Sequence, residues 1–352
     1  MVSFEHSFLY VCYWRPSLRV AYCAVPKYRG DSSLAAPYLA PFKSQEMANL
    51  IWSYATLNFR SPQMLDAMAA YMVSSCRNRY GTIDERSIAV MFNRQELANI
   101  AWSCAVLEQY PPDLMSLLYL GLLGKNGDPV YMRNVMGDRG LQRQAIRSLW
   151  YVQLVLDIEA PHLGLSLPDN FPAGWGERGG ITNRWDNPND NPSLELNPSK
   201  TQAIISRGLD RIGFGHVQEL VLEPPLDFLS IDIANPQEMI GIEVDGPAHF
   251  VNILDSVLKN NLQGSIQPYI PPRPPSSTVV NVNNRRRMHF RWEWNGRRHE
   301  NGPTALKHRI LSHLGWLIAH LPFWEWNSVA GNVDDENDYL RELLKEVSDP
   351  DD

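Results

Sequence analysis

Two stretches of this chain are copies of one another, and that limits the folds open to its first half more than any other feature. From Phe42 the sequence reads FKSQEMANLIWSYATLNFRSPQML, and from Phe92 it reads FNRQELANIAWSCAVLEQYPPDLM. The two align at an offset of fifty residues without a gap. Ten of the 24 positions are identical, including Gln45/Gln95, Glu46/Glu96, Asn49/Asn99, Trp52/Trp102, Ala55/Ala105 and Pro62/Pro112. Composition alone would give about one or two matches. A duplicated unit of this length is one supersecondary element that buries its apolar side against its neighbour copy.

Each copy reads as a helix pair. Ser44 or Asn93 supplies an N-cap, and Met47, Ile51 and Tyr54 recur at spacings of four and three. Ala48, Trp52 and Ala55 form a second apolar stripe, so the first helix is expected to be covered on two sides. On that reading Trp52, Trp102 and the repeated asparagines are core and interhelical contacts. An array of this kind that touches RNA does so through exposed polar positions on one face. Pro62 and Pro112 fall where a first helical position tolerates the missing N–H, opening a second helix that Met64, Leu65, Met68 and Met72 continue. The copies span 42–75 and 92–124, and a related segment at 141–156 reads as an atypical cap closing an α-solenoid-like array over 42–157.

Around this array the sequence changes character. Residues 1–41 set Arg15, Arg19, Lys27 and Arg29 against Glu5 and Asp31, so an organellar targeting leader and an ordinary, poorly ordered leader both remain open. Residues 158–198 are dense in Pro, Gly, Asn and Asp and read as a linker. With 44% hydrophobic and 20% charged residues the chain has the material for a core, and a formal charge of -7 excludes coating nucleic acid by bulk positive charge. The four cysteines form no CxxC pair, which speaks against a zinc ribbon or a disulfide scaffold. The densest apolar run, Leu114 to Leu123, is shorter than the roughly 18 residues needed to cross a bilayer, so no membrane partner is expected.

Residues 199–347 read as a second, α/β unit of order α-β-β-β, long loop, α-β-α. Lys200 to Ile212 has helical spacing, Val217 to Leu222 is a strand, FLSIDI (Phe228 to Ile233) alternates at period two, and IGIEV (Ile240 to Val244) is a third strand. After a Pro-rich and basic insertion at 251–300, Thr304 to Leu314 is an amphipathic helix stopped by Gly315, Trp316 to Leu321 a strand and Asn337 to Val347 a closing helix.

The stretches IGIEVDGPAHF, NGPTALKHRILSHLGWLIAHLPFWEW and DYLRELL resemble the RAP domain of organellar proteins, through Glu243, Asp245, Gly246, Pro247, His249, Phe250, Lys307, Arg309, Leu311, Gly315, Trp316, Trp324, Glu325, Trp326, Tyr339 and Leu340. The upstream repeats resemble the octotricopeptide or FAST-kinase-like repeats that precede such domains. The resemblance implies a restriction-endonuclease-like fold of the PD-(D/E)xK type for the C-terminal domain. It also implies post-transcriptional handling of RNA in mitochondria or chloroplasts, with single-stranded RNA and other ribonucleoprotein components as partners.

In that nuclease fold an Asp and a Glu on neighbouring strands hold a divalent ion, and a Lys two residues after the Glu assists the attacking water. Asp232, Glu243 and Asp245 fall at the corresponding positions, with Asp245 in the place of the Lys. Glu243 and Asp245 are two apart and share a face of one strand. With His249 they form a carboxylate–imidazole cluster that would hold Mg²⁺ or Mn²⁺ in a nuclease, since hard carboxylate oxygens suit those ions. Lys307, Arg309 or His249 would then supply the missing positive partner. The plainer reading is a turn at Asp245-Gly246-Pro247 whose carboxylate caps nearby N–H groups, in a domain that binds RNA without cutting it and needs no cofactor. A ribonucleoprotein scaffold is a third reading.

A second candidate surface is RRRMHFRWEWNGRRHE (Arg285 to Glu300), which carries a net +4 in an acidic chain. Arg285, Arg286, Arg287, Arg291, Arg297 and Arg298, with Lys307 and Arg309, are the expected phosphate contacts. Phe290, Trp292 and Trp294 either stack on bases or face the core of an edge strand.

Overall fold

A computed structural model of the chain describes residues 42–124, 141–168, 171, 199–223, 226, 229–252 and 298–348, with short pieces at 10–11, 22–23 and 267–268. It divides into two compact units. One comprises Met1–Phe171, Phe250–Tyr269 and Trp294–Leu306, the other Pro172–His249, Ile270–Glu293 and Lys307–Asp352.

The fifty-residue offset reappears in the backbone of the first unit. Helices α1 (Ser44–Thr56) and α2 (Pro62–Ser75) correspond to α4 (Arg94–Leu107) and α5 (Pro112–Leu123), with a short α3 (Glu85–Met91) between the pairs and α6 (Leu141–Glu159) after them. Both second helices begin on their proline. The repeated glutamate holds the start of each first helix. The N–H of Lys43 donates to Glu46 at 2.9 Å, and that of Asn93 donates to Glu96 at 2.8 Å. Asn93 returns the bond by accepting from the N–H of Glu96, completing a reciprocal cap worth about 1 kcal/mol. Ser44 is the first residue of its helix rather than its cap.

Helices α1 and α4 pack side by side, and α4 packs in turn on α6. Met47, Ile51, Leu65, Met68, Met72, Leu97, Ile100, Leu114 and Met115 are fully buried between the layers. Between α5 and α6 a polar pair is satisfied internally, Tyr119 donating to Gln153 at 2.9 Å. The second apolar stripe behaves otherwise than its spacing predicts. Ala48 and Ala55 are buried, yet Trp52 is 38% exposed and Trp102 only half-buried. Two alanines suffice to close the helix contact, and the larger ring projects past it.

The second unit is a four-stranded sheet between helices. Helix α7 (Lys200–Arg211), capped by Ser199, leads into β1 (Val217–Val221), β2 (Ser230–Asn235) and β3 (Ile240–Asp245). Helix α8 (Gly302–His313) precedes a last strand at Leu317–Pro322, and helices α9 (Phe323–Val329) and α10 (Val333–Ser348) close the chain. A separate antiparallel pair in the first unit joins β4 (Phe250–Asn252) to β5 (Arg298–Glu300), so the last sheet strand is β6.

The sheet order is β6-β3-β2-β1, antiparallel from β1 to β3 and parallel between β3 and β6. One face packs on Ile205 and Leu209 of α7, Trp326 of α9 and Leu340 of α10, and the other on Leu311 of α8 and Trp316. Gly241 sits in close approach, because a Cβ there would lie 2.7 Å from the Ile318 side chain and 2.9 Å from that of Ile231, and the neighbours would have to shift. Gly315 ends α8 at φ +89, a conformation that favours glycine.

Candidate functional site

The sheet register sets two side chains of the site next to one another. Glu243 of β3 pairs with His320 of β6, so the two share one face. Asp232 of β2 lies close enough for its charge to act on both Glu243 and Glu219 of β1.

The backbone bends to accommodate them. Glu219 adopts φ 51 in the middle of β1, a left-handed conformation uncommon for a non-glycine residue. The Asp232 carboxylate accepts the N–H of Val244 at 2.9 Å, replacing a strand-to-strand bond with a side-chain one. Gln202 of α7 donates to Glu219 at 2.9 Å.

Helix α8 places a cation and an imidazole over these residues. Lys307 Nζ donates to Glu243 Oε2 at 2.6 Å, and only 2% of the Glu243 side chain is exposed. Burial pushes the Glu243 carboxyl up to about 7; the Lys307 ammonium opposes that rise, while the negative charges of Asp232 and Asp245 add to it. The second oxygen of Glu243, Oε1, is buried and has no hydrogen-bond partner. Burial also raises Glu219, helped by Asp232 and opposed by Gln202 and Lys307.

Asp245, two residues beyond Glu243 on the same face, is 1% exposed. His320 Nδ1 lies 3.1 Å from its Oδ2 and His249 Nδ1 lies 3.3 Å from its Oδ1, the latter outside hydrogen-bonding geometry. The carboxylate therefore meets imidazoles rather than capping the turn that follows. His308 of α8 stacks obliquely on His320, ring centroids 3.8 Å apart. Ligand atoms of Asp245, His308 and His320 all lie within 4.8 Å of one another.

Residues 242–343 match the family model of the RAP domain, a span holding Glu243, Asp245, His249, Lys307, Arg309 and His320. The chain carries a RAP domain. The match supports RNA binding in general terms, and the duplicated helices lie outside it.

In and beside the matched span the structure joins residues that the sequence suggested separately. Asp232, Glu243 and Asp245 all belong to the sheet that α8 covers, and Lys307 supplies positive charge beside Glu243. Asp232, Glu243 and Asp245 do not themselves draw together into a group as tight as Asp245, His308 and His320. For a magnesium ion, the orphaned Glu243 Oε1 and the neighbouring Asp232 fit as hard oxygen donors, whereas Asp245 is turned toward histidines. Sequence reasoning missed His308, His320 and Glu219. The only signal for His320 is its cross-strand position, which a sequence does not display until pairing is known.

Arg285, Arg286, Arg287, Arg291 and Arg297 lie outside the described residues, as do Phe290, Trp292 and Trp294; Arg298 opens β5. Arg309 is half-buried on α8. Among the described residues no helix is long and apolar enough to cross a membrane.

Proposed function

We propose that this chain is an RNA-binding protein of mitochondria or chloroplasts that acts on transcripts after synthesis, in their stability, processing or translation. It takes single-stranded RNA, alone or with other ribonucleoprotein components. The observation that carries this reading is the RAP-domain match over 242–343. The exposed Gln45, Asn49 and Trp52 on α1 support it, and the half-buried Gln95, Asn99 and Trp102 repeat the same residue types on α4. The antiparallel-then-parallel sheet with α8 on one face supports a restriction-endonuclease-like fold for the C-terminal unit, and the recurrent helix pairs support a solenoid-like array upstream.

The test is the basic stretch. Replacing Arg285, Arg286, Arg287 and Arg291 with alanine is expected to weaken binding of a single-stranded RNA about tenfold or more at physiological salt. The salt dependence should flatten as well, since each lost phosphate contact removes about 0.7 from the log–log slope. Fluorescence anisotropy over a salt series measures both. Unchanged affinity at low salt would take these arginines out of the interface.

One contact favours a second reading, a metal-dependent endoribonuclease: Lys307 stands 2.6 Å from Glu243. In this reading Mg²⁺ or Mn²⁺ is held by Asp232 and Glu243, and Lys307 offsets the charge of the carboxylates and the scissile phosphate. It predicts RNA cleavage that needs the ion and disappears in Glu243→Gln while RNA affinity stays within a few-fold. Intact RNA after incubation of the unaltered protein with either metal removes this reading and leaves binding untouched.

A further inference from the structure

We infer that Asp245, His308 and His320 form a binding site for a divalent transition-metal ion of the zinc class, which takes Asp245 out of the carboxylate set of the nuclease reading and leaves Asp232 and Glu243 outside it. Three elements converge there: the end of β3, the second turn of α8 and the middle of β6. Their ligand atoms lie within 4.8 Å of one another, and Asp245 Oδ2 is already 3.1 Å from His320 Nδ1. Two ligands of one tetrahedral zinc stand about 3.3 Å apart, so this pair is at ligand spacing, and side-chain torsions need only bring in His308.

The donor set selects the ion. Magnesium takes oxygen ligands and holds its waters, whereas two imidazoles and one carboxylate suit zinc and its neighbours in the first transition row. With three protein ligands, a fourth position is left for water or a ligand, on the side where His320 remains 29% exposed. Burial gives an independent reason. Asp245 is 1% exposed and its Oδ1 lacks a hydrogen bond, while the nearby Lys307 ammonium is turned to Glu243. A buried carboxylate whose close neighbours are imidazoles is stabilised by a shared cation.

The ion would link α8 to the sheet at the point where Lys307 also reaches down. Loss of it is therefore expected to loosen the RAP domain whether or not RNA is present.

The test uses the full chain, stripped with EDTA and titrated with zinc chloride against a coloured chelator. One equivalent is expected to bind. Cobalt chloride in its place should give the intense visible absorption of a four-coordinate site. Asp245→Asn, His308→Gln and His320→Gln should each weaken zinc binding by about a hundredfold or more, since even outer-shell changes cost 10–100-fold. His313→Ala, an exposed histidine on the same helix, should leave zinc binding as it is. If a variant fails to fold, the unaltered chain decides: no zinc bound and no cobalt band overturns the site. Full retention of zinc by folded His308→Gln and His320→Gln overturns it equally. None of these readouts involves RNA, so failure here leaves the RNA-binding reading standing, and the converse holds.

Discussion

Lys307→Met is expected to lower the unfolding free energy by about 3 kcal/mol at pH 8 and by much less at pH 5, because it leaves a buried carboxylate without its counter-charge. Glu243 is 2% exposed and its Oε2 is held at 2.6 Å by Lys307. Lys307 is itself 25% exposed, so solvent screens part of the interaction and the lower end of the range for broken buried pairs applies. The pH dependence follows from Glu243. Its folded pKa of about 7 lies above its ordinary value of 4.5, so the folded state holds the proton more tightly than the unfolded chain. The stability contributed by that proton is fully present below the unfolded value and is lost as pH rises through about 7. Removing the ammonium raises the folded value further, so the variant keeps losing stability at pH values where the unaltered protein has levelled off. At pH 5 both hold a neutral carboxyl, and the difference shrinks to lost packing of the lysine stem. Adding Glu243→Gln to Lys307→Met should recover most of the loss at pH 8. Urea denaturation followed by tryptophan emission at the two pH values measures all three proteins. An equal loss at pH 5 and pH 8 would show that Lys307 acts by packing rather than by charge.

Periodicity and duplication carried the helical half of the fold, and strand alternation carried the part of the site on β3. Pro62 and Pro112 open their helices as their positions suggest, and Glu243 and Asp245 share a face because successive strand residues alternate. What was not legible depends on pairing. His308 and His320 are twelve residues apart on a helix and a strand, with no motif spacing, and join Asp245 only because β6 lies parallel beside β3 with His320 opposite Glu243. Glu219 comes near Asp232 through the pairing of β1 with β2, which no local signal fixes. The strand expected at Phe228 to Ile233 runs from Ser230 to Asn235, since pairing with β1 and β3 sets its ends and alternation does not. Helices α3 and α9 have seven residues each, too short for a periodic pattern to stand out. Trp52 departs from its expected burial for a different reason: apolar spacing counts a tryptophan and an alanine alike, and here the alanines make the contact.

That exposed tryptophan supports the remaining prediction. Trp52→Ala combined with Trp102→Ala is expected to reduce affinity for single-stranded RNA on the order of a hundredfold while changing stability little. Trp52 is 38% exposed, and Gln45, Asn49 and Trp52 lie on one face of α1 by their spacing of four and three. The same three residue types recur at Gln95, Asn99 and Trp102 of α4, which packs beside α1. On α6, by contrast, Trp150 meets Phe171 edge-on at 5.8 Å and so has an intramolecular partner. An aromatic ring stacked on an unpaired base contributes about 1–3 kcal/mol, so two stacked rings account for a hundredfold without further contacts. Stacking displaces no counterions. The double variant should therefore weaken binding while keeping the slope of affinity against salt, whereas the arginine variant changes the slope. Anisotropy titrations at three salt concentrations separate the two effects, with far-UV circular dichroism to check that the helices persist. If the double variant folds and binds as the unaltered chain does, the repeated face is not where RNA lies, and the RAP domain must hold the RNA without help from these rings.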